Sequence, residues 1–336
     1  MTTKHKITIS QLAEQAGVSV PTVSKVLNGR PGVSESTQKQ IRDLIRQTGY
    51  VPRSSPHNLQ NRTVELLISH PHSAWADEIL VGVLEGLKDS GYSPIVSARP
   101  PVEWDFGPWF QEALSHGSRG ALICLTHVSQ ANIQQMLDNG MKTIMIDPTG
   151  IVPPNTPVIG SGDYQGCKDA TRHLIELGHR RIAFLKGPDE WQTCRARYDG
   201  FRSVMEEHHL TIDPELITGS AYFFDDGYEC GNRLFSLHRR PTAVFASSDM
   251  QAAGLYRSAR EHEIRIPEDV SVIGFDDLPY IEFLHPQLTT VHHAIKDMAK
   301  LGAQTLVDII NHKPTLTHVD LAAPLVIRES TCPPAQ

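Results

Sequence analysis

Thr8-Ile9-Ser10-Gln11-Leu12-Ala13-Glu14-Gln15-Ala16-Gly17-Val18-Ser19-Val20-Pro21-Thr22-Val23-Ser24-Lys25-Val26-Leu27-Asn28 is the stretch that decides how the chain is read. Thr8, followed three residues later by Gln11, has the form of a capping box that satisfies the first free amides of a helix. Leu12, Ala13 and Ala16 give that helix an apolar face, and Gly17 can take the positive φ of a tight turn. Ser19 is a second N-cap. Pro21 falls in the first turn of the next helix, where a missing N–H costs little. Val23, Val26 and Leu27 recur at helical spacing as its buried face. A third helix is expected to start at Ser34, turn Ile41, Leu44 and Ile45 inward, and stop at Gly49. Two short helices joined by a glycine turn and braced by a third make a helix-turn-helix, whose second helix enters the DNA major groove. Its exposed positions are Val20, Pro21, Thr22, Ser24, Lys25 and Asn28. Small hydroxyls reach phosphates, and Lys25 reaches a phosphate or a guanine edge. A three-helix bundle with no DNA role fits the same spacing.

Charge separates these alternatives. Residues 1–62 hold nine basic and three acidic side chains, a net of +6, whereas the whole chain of 336 residues carries −7. A small basic head on a large acidic body points to a polyanion that only the head touches. The length predicts two domains or more, and 40% hydrophobic with 21% charged residues is an ordinary globular composition. No apolar run reaches membrane-spanning length, and no signal-peptide pattern opens the chain. Cys124, Cys167, Cys194, Cys230 and Cys332 are widely spaced and odd in number, which disfavours a disulfide scaffold and a zinc finger and fits a reducing cytoplasm.

From Val64 onward, short apolar runs alternate with amphipathic stretches. Strands are expected at 64–68, 121–125, 143–146, 181–185, 243–246 and 270–273. Helices are expected at 165–177, 195–208 and 251–262, and one more should bury Ile79, Leu80, Val83, Leu84 and Leu87. Such alternation means parallel sheets covered by helices, and there are strands enough for two α/β lobes. Ligands in these folds sit at the carboxyl ends of the strands, here the cleft between the lobes. Asp147, Asp249 and Asp276 stand at strand ends, where a carboxylate accepts hydrogen bonds from vicinal hydroxyls. Arg197 offers up to five donors in a fixed fork. Trp75, Trp191 and Tyr222 are placed to stack on the apolar face of a sugar. The same residues have plainer uses: the aspartates can cap helices, and the aromatics can be core.

Other chemistries find little support. Gly160-Ser-Gly162-Asp-Tyr-Gln-Gly166 has one residue too many for the dinucleotide fingerprint. No phosphate-binding loop or nucleophile elbow occurs, so neither an enzyme nor a cofactor is expected. Seventeen histidines include the pairs His70/His72, His208/His209 and His292/His293, but their spacing gathers no ligand set, and no metal is expected.

The head run, continued by Val33-Ser-Glu-Ser-Thr37 and Gly49-Tyr50-Val51-Pro52, resembles the lactose-repressor/galactose-repressor family of bacterial transcription regulators. In the body, Gly178-His-Arg-Arg-Ile182, Arg197-x-x-Gly-Phe201, Arg240-Pro-Thr-Ala-Val244, Ile273-Gly-Phe-Asp-Asp277 and Leu288-Thr-Thr-Val291 resemble its effector-binding core, so the likeness spans nearly all of residues 7–330. It implies an α/β protein with a three-helix head (1–50), a hinge (51–62) and a two-lobed body (63–336) similar to periplasmic sugar-binding proteins. Lobe one would comprise about 63–161 and 291–320, and lobe two about 162–290 and 321–330. By the resemblance, Val20, Pro21 and Lys25 read bases, and Ser19, Thr22, Ser24 and Asn28 set the head on the backbone. Leu59 is implied as a minor-groove wedge in a hinge helix, although Pro56 departs from the family there; the plainer alternative is a leucine that packs on the body. Arg197, Asp249 and Asp276 occupy polar ligand positions, and Trp75 and Tyr222 aromatic ones. His293 stands where the family often has glutamine. The partners implied are double-stranded operator DNA, a small effector (a mono- or oligosaccharide, with a purine as the alternative) and a second copy of the chain in a homodimer. A transport-type sugar-binding protein shares the body but lacks such a head.

Overall fold

A computed structural model describes residues 7–27, 32–48, 50, 62–71, 73–99, 104–124 and 128–335. The chain divides into two units, residues 1–61 with 111–117, and residues 62–110 with 118–336.

In the first unit, helices α1 (Ile9–Gln15), α2 (Val20–Leu27) and α3 (Glu35–Thr48) follow one another. The capping box forms: the Thr8 amide donates to Gln11 Oε1 at 2.8 Å, and the Gln11 amide donates to Thr8 Oγ1 at 3.3 Å. Gly17 takes a φ of 62°, and the Val18 amide turns back to the Ala13 carbonyl at 3.0 Å, so the second helix departs sharply from the first. Ser19 Oγ accepts from the Thr22 amide and Ser34 Oγ from the Thr37 amide, each at 3.3 Å. Leu12, Ala13, Ala16, Val23, Val26, Ile41 and Tyr50 form the core. Leu27, Leu44 and Ile45, expected inside it, lie half-buried at its margin. Asn28, Pro56, Leu59 and the hinge segment 51–61 lie outside the described residues.

From residue 62 the chain begins with β1 (Thr63–Ile68), α4 (Ala74–Leu87), β2 (Ser93–Ala98), α5 (Phe106–Ser115), β3 (Gly120–Cys124), α6 (Gln130–Asp138), β4 (Lys142–Ile146) and β5 (Val158–Ser161). It continues with α7 (Asp163–Glu176), β6 (Ile182–Leu185), α8 (Gln192–Glu207), β7 (Ile217–Thr218), α9 (Phe224–Phe235), β8 (Ala243–Ala246), α10 (Asp249–Glu261), β9 (Ser271–Asp276) and β10 (Thr289–His292). Last come α11 (Ile295–Ile310), β11 (His318–Leu321) and β12 (Leu325–Val326). Among the described residues two six-stranded sheets result, in the orders β11-β5-β4-β3-β1-β2 and β12-β10-β9-β8-β6-β7. The first is parallel throughout. The second is parallel except where β12 runs against β10.

Three crossovers join the lobes, at 161–163, 292–295 and 321–325, and backbone bonds tie them together. The Gly162 amide donates to the Leu321 carbonyl at 2.9 Å, and the His292 amide to the Pro324 carbonyl at 2.8 Å. Because β10 pairs with β9, the second sheet runs to His292, past the expected boundary near 290. In the first lobe α4 packs closely on α11. A Cβ at Gly82 or Gly86 would come within 2.4 Å of the Lys296 or Lys300 carbonyl oxygen, so only glycine permits the approach. Ile79, Val83 and Leu87 are buried as expected, but Leu84 is 51% exposed. It lies beside the buried stripe, and α4 is apolar over a wider arc than its own lobe covers.

Candidate functional site

Asp147, Asp276 and His70 sit where strands end, and Arg197 is presented by helix α8. Asp147 follows β4, Asp276 closes β9 and His70 follows β1, with φ values of 48°, 117° and 50°. Such backbone costs roughly 1–3 kcal/mol at a non-glycine residue and persists where the surroundings over-determine it, commonly at functional sites.

Arg197, on α8, is the centre. It is 4% exposed, and its guanidinium lies over the Phe275 ring at 3.7 Å and near that of Tyr222 at 5.3 Å. Its Nε donates to Asp163 Oδ1 at 2.7 Å, and its Nη1 to the Ser247 carbonyl at 2.6 Å, with Asp276 Oδ1 at 3.5 Å from the same nitrogen. Burial works against the Arg197 charge, but Asp163, Tyr222, Asp276 and Asp147 outweigh it and hold the guanidinium charged. Asp147 lies in the opposite lobe. Burial pushes its carboxyl up to about 6, despite the opposing pull of His293. Asp147, Asp163 and His293 bring three donor atoms within 4.8 Å of one another. With Arg197 already on Asp163, this set is an ion-paired network.

Aromatic rings flank the polar groups. Trp191, just before α8, meets Tyr222 edge-on at 5.7 Å. From the first lobe, His70 reaches Phe223 at 5.2 Å and Trp191 at 6.3 Å. The lobes also bond directly, since the Gln192 amide donates to the Thr149 carbonyl at 2.8 Å. Asp147, Trp191, Arg197, Tyr222 and Asp276 are thus brought together. Asp249 and Trp75 have other surroundings. Asp249 is fully buried, with Oδ1 accepting from Thr290 Oγ1 at 2.6 Å and Oδ2 from the Leu278 amide at 2.9 Å, so both oxygens serve the second lobe. Trp75 is half-buried on α4 and packs on the first-lobe core.

Sequence reasoning missed Asp163, His70, Phe223 and Phe275. Asp163 lay inside the glycine-rich run dismissed as a failed dinucleotide motif. An acid directly after Gly162 at a helix start was the available signal. In the head, Val20, Pro21 and Lys25 are exposed on α2, as is Ser19 before it, and Thr22 and Ser24 are half-buried.

Residues 8–53 match the model of the bacterial regulatory proteins of the lacI family, and residues 171–331 match a periplasmic binding protein-like domain. The HTH-type transcriptional repressor PurR of Haemophilus influenzae is 30% identical over 330 residues, covering 96% of this chain and 98% of its own. The chain belongs to the lacI family. Among solved structures, the transcriptional regulator CelR in complex with cellobiose is 27% identical, with a TM-score of 0.73 over 96% of this chain and 99% of that one. A lacI-family regulator from Enterococcus faecium with bound ribose is 25% identical, with a TM-score of 0.74 over 81% of this chain and 99% of that one. Among the described residues, no helix is long and apolar enough to cross a membrane.

Proposed function

We propose that this lacI-family regulator is a cytoplasmic repressor that binds a pseudo-palindromic operator as a homodimer and answers to a sugar held between its lobes. The observation that carries the effector half is the cluster of Arg197 on α8 with Asp163, Asp276 and Asp147, beside Trp191 and Tyr222. Carboxylates that accept from vicinal hydroxyls, next to rings that cover an apolar sugar face, suit a neutral polyhydroxylated ligand. Cellobiose and ribose in the two similar solved structures support the same reading. Asp249 is left out of this set, because its oxygens already serve the fold. In the head, Lys25 with Val20 and Pro21 would read bases, and Ser19, Thr22 and Ser24 would contact phosphates.

The test is a thermal-shift screen of the full-length protein with cellobiose, D-ribose, hypoxanthine and guanine. A ligand at 100 times its dissociation constant adds about 2.7 kcal/mol of stability. A response to a sugar that Arg197→Ala abolishes supports the reading, whereas a response to the purines alone replaces it. Operator binding by gel shift should weaken steeply with salt, and Lys25→Ala should lower the salt slope by about one.

A further inference from the structure

His293 sits on the crossover between β10 and α11, its side chain fully enclosed, and among the described residues neither ring nitrogen has a hydrogen-bond partner of good geometry. Its Nδ1 lies 3.5 Å from Asp276 Oδ1, at the end of the second sheet. Its Nε2 lies 3.9 Å from Asp147 Oδ2, at the end of the first. These separations are long for hydrogen bonds and fall within the roughly 4 Å reach of ion pairs. A neutral imidazole here would be buried with both nitrogens unserved, which is costly.

Charge decides its state. The groups around it are Asp147 beyond β4, Asp276 on β9, Asp163 on α7 and Arg197 on α8, with the Phe275 ring edge-on at 5.7 Å. Three carboxylates against one guanidinium leave the cluster short of positive charge unless the imidazole is protonated. We propose that His293 is a positioning residue of the cleft, whose imidazolium joins Asp147 of one lobe to Asp276 of the other and so couples lobe closure to a proton. The coupling rests on the effector-cleft reading only in its consequence, a tighter grip on the ligand when the proton is present.

The sign follows from linkage. Burial lowers the affinity of His293 for its proton, but Asp276, Asp147 and Asp163 reverse this and raise its pKa above the ordinary 6.5. Stability from the proton is therefore complete below about pH 6.5 and is lost as pH climbs through the raised value. His292, paired with Asp277 at 2.9 Å, shifts in the same direction, so the comparison must hold it constant.

The experiment follows the melting temperature of the full-length protein, without ligand or DNA, from pH 6.5 to 9 in wild type, His293→Gln and Asp147→Asn. Glutamine keeps hydrogen-bonding atoms without the titration. The stability difference between wild type and His293→Gln should shrink with rising pH at a slope of up to about one proton. Asp147→Asn should lose most of that slope, because the first-lobe partner is gone. A pH-independent difference overturns the proposal. A slope that survives in Asp147→Asn also overturns it, by confining His293 to the second lobe. Stabilisation of wild type but not His293→Gln by added zinc would overturn it too, by making the imidazole a metal ligand. The ligand-free design separates this outcome from the effector screen, since either can fail alone.

Discussion

The two lobes share a sheet order but not a share of the site. The second supplies Arg197, Asp163, Asp276, Tyr222 and Phe275, knit by Arg197 bonds of 2.6 and 2.7 Å to groups of its own lobe. The first supplies Asp147 and His70, and Asp147 Oδ2 stands 3.9 Å from His293 Nε2. A network satisfied inside one lobe keeps its shape whether or not the other lobe is present. Groups reached only across the junction are recruited by closure. On the proposed reading the second lobe is the prebuilt half of the site and the first lobe the closing half, which is how a ligand would bias one arrangement of two lobes over another.

The harshest challenge to this asymmetry is Arg197→Ala. Breaking a buried pair leaves Asp163 and Asp276 uncompensated, and about 3–5 kcal/mol of stability should go with it. Asp147→Ala, its counterpart across the junction, should cost less than half as much. Equal losses in urea denaturation would show that both lobes are equally tied into the site.

Gly86→Ala moves the disturbance into the first lobe alone. The new Cβ would meet the Lys300 carbonyl at 2.4 Å and Ala303 Cβ at 2.8 Å, and overpacking of this kind costs about 1–3 kcal/mol. Thermal melting should drop, while the affinity for any sugar found in the screen changes little, because the prebuilt half is untouched.

Two tryptophans sharpen the division further. Trp75→Ala should lower stability through lost packing on the first-lobe core, with ligand affinity following only weakly. Trp191→Ala should do the reverse, weakening ligand binding with a smaller change in melting. Calorimetric titration and melting on both variants test the pairing, and an exchange of outcomes would move the aromatic wall of the site to Trp75.

The smallest effect lies outside both lobes. Thr8→Ala removes half of the capping box and should cost about 1 kcal/mol in the head. Operator binding should weaken on gel shift while effector titrations stay unchanged, which confines the lobe comparison to the body.

Legibility in the sequence follows local physics. The capping box, the Gly17 turn and the Ser19 cap are interactions within a few residues, and each forms where the spacing places it. Buried central strands such as Ala243–Ala246 announce themselves as short apolar runs. The strand Ser93–Ala98 does not, because at a sheet edge its side chains are exposed or half-exposed and its pattern turns polar. Leu84 misled for a related reason: apolar spacing says which residues share a face, not how wide a face the neighbours cover.

Site residues divide along the same line. Asp147 and Asp276 are candidates in the sequence because carboxylates at strand ends stand out against apolar runs, and Arg197 because of its run Arg197-x-x-Gly-Phe201. Asp249 had the same signature, yet Thr290 and Leu278, residues 41 and 29 positions away, claim its oxygens. Asp163 and His293 became site members only when three crossovers drew residues 147, 163, 276 and 293 into one enclosure. The sequence by itself determined the helix-turn-helix, the alternation that builds two parallel sheets, and the family, since all three rest on local spacing and residue type. Tertiary structure alone decided which carboxylates stay open and which are consumed by the fold, and that an imidazole stands between the lobes. Burial and pairing depend on what the rest of the chain brings within a few ångströms.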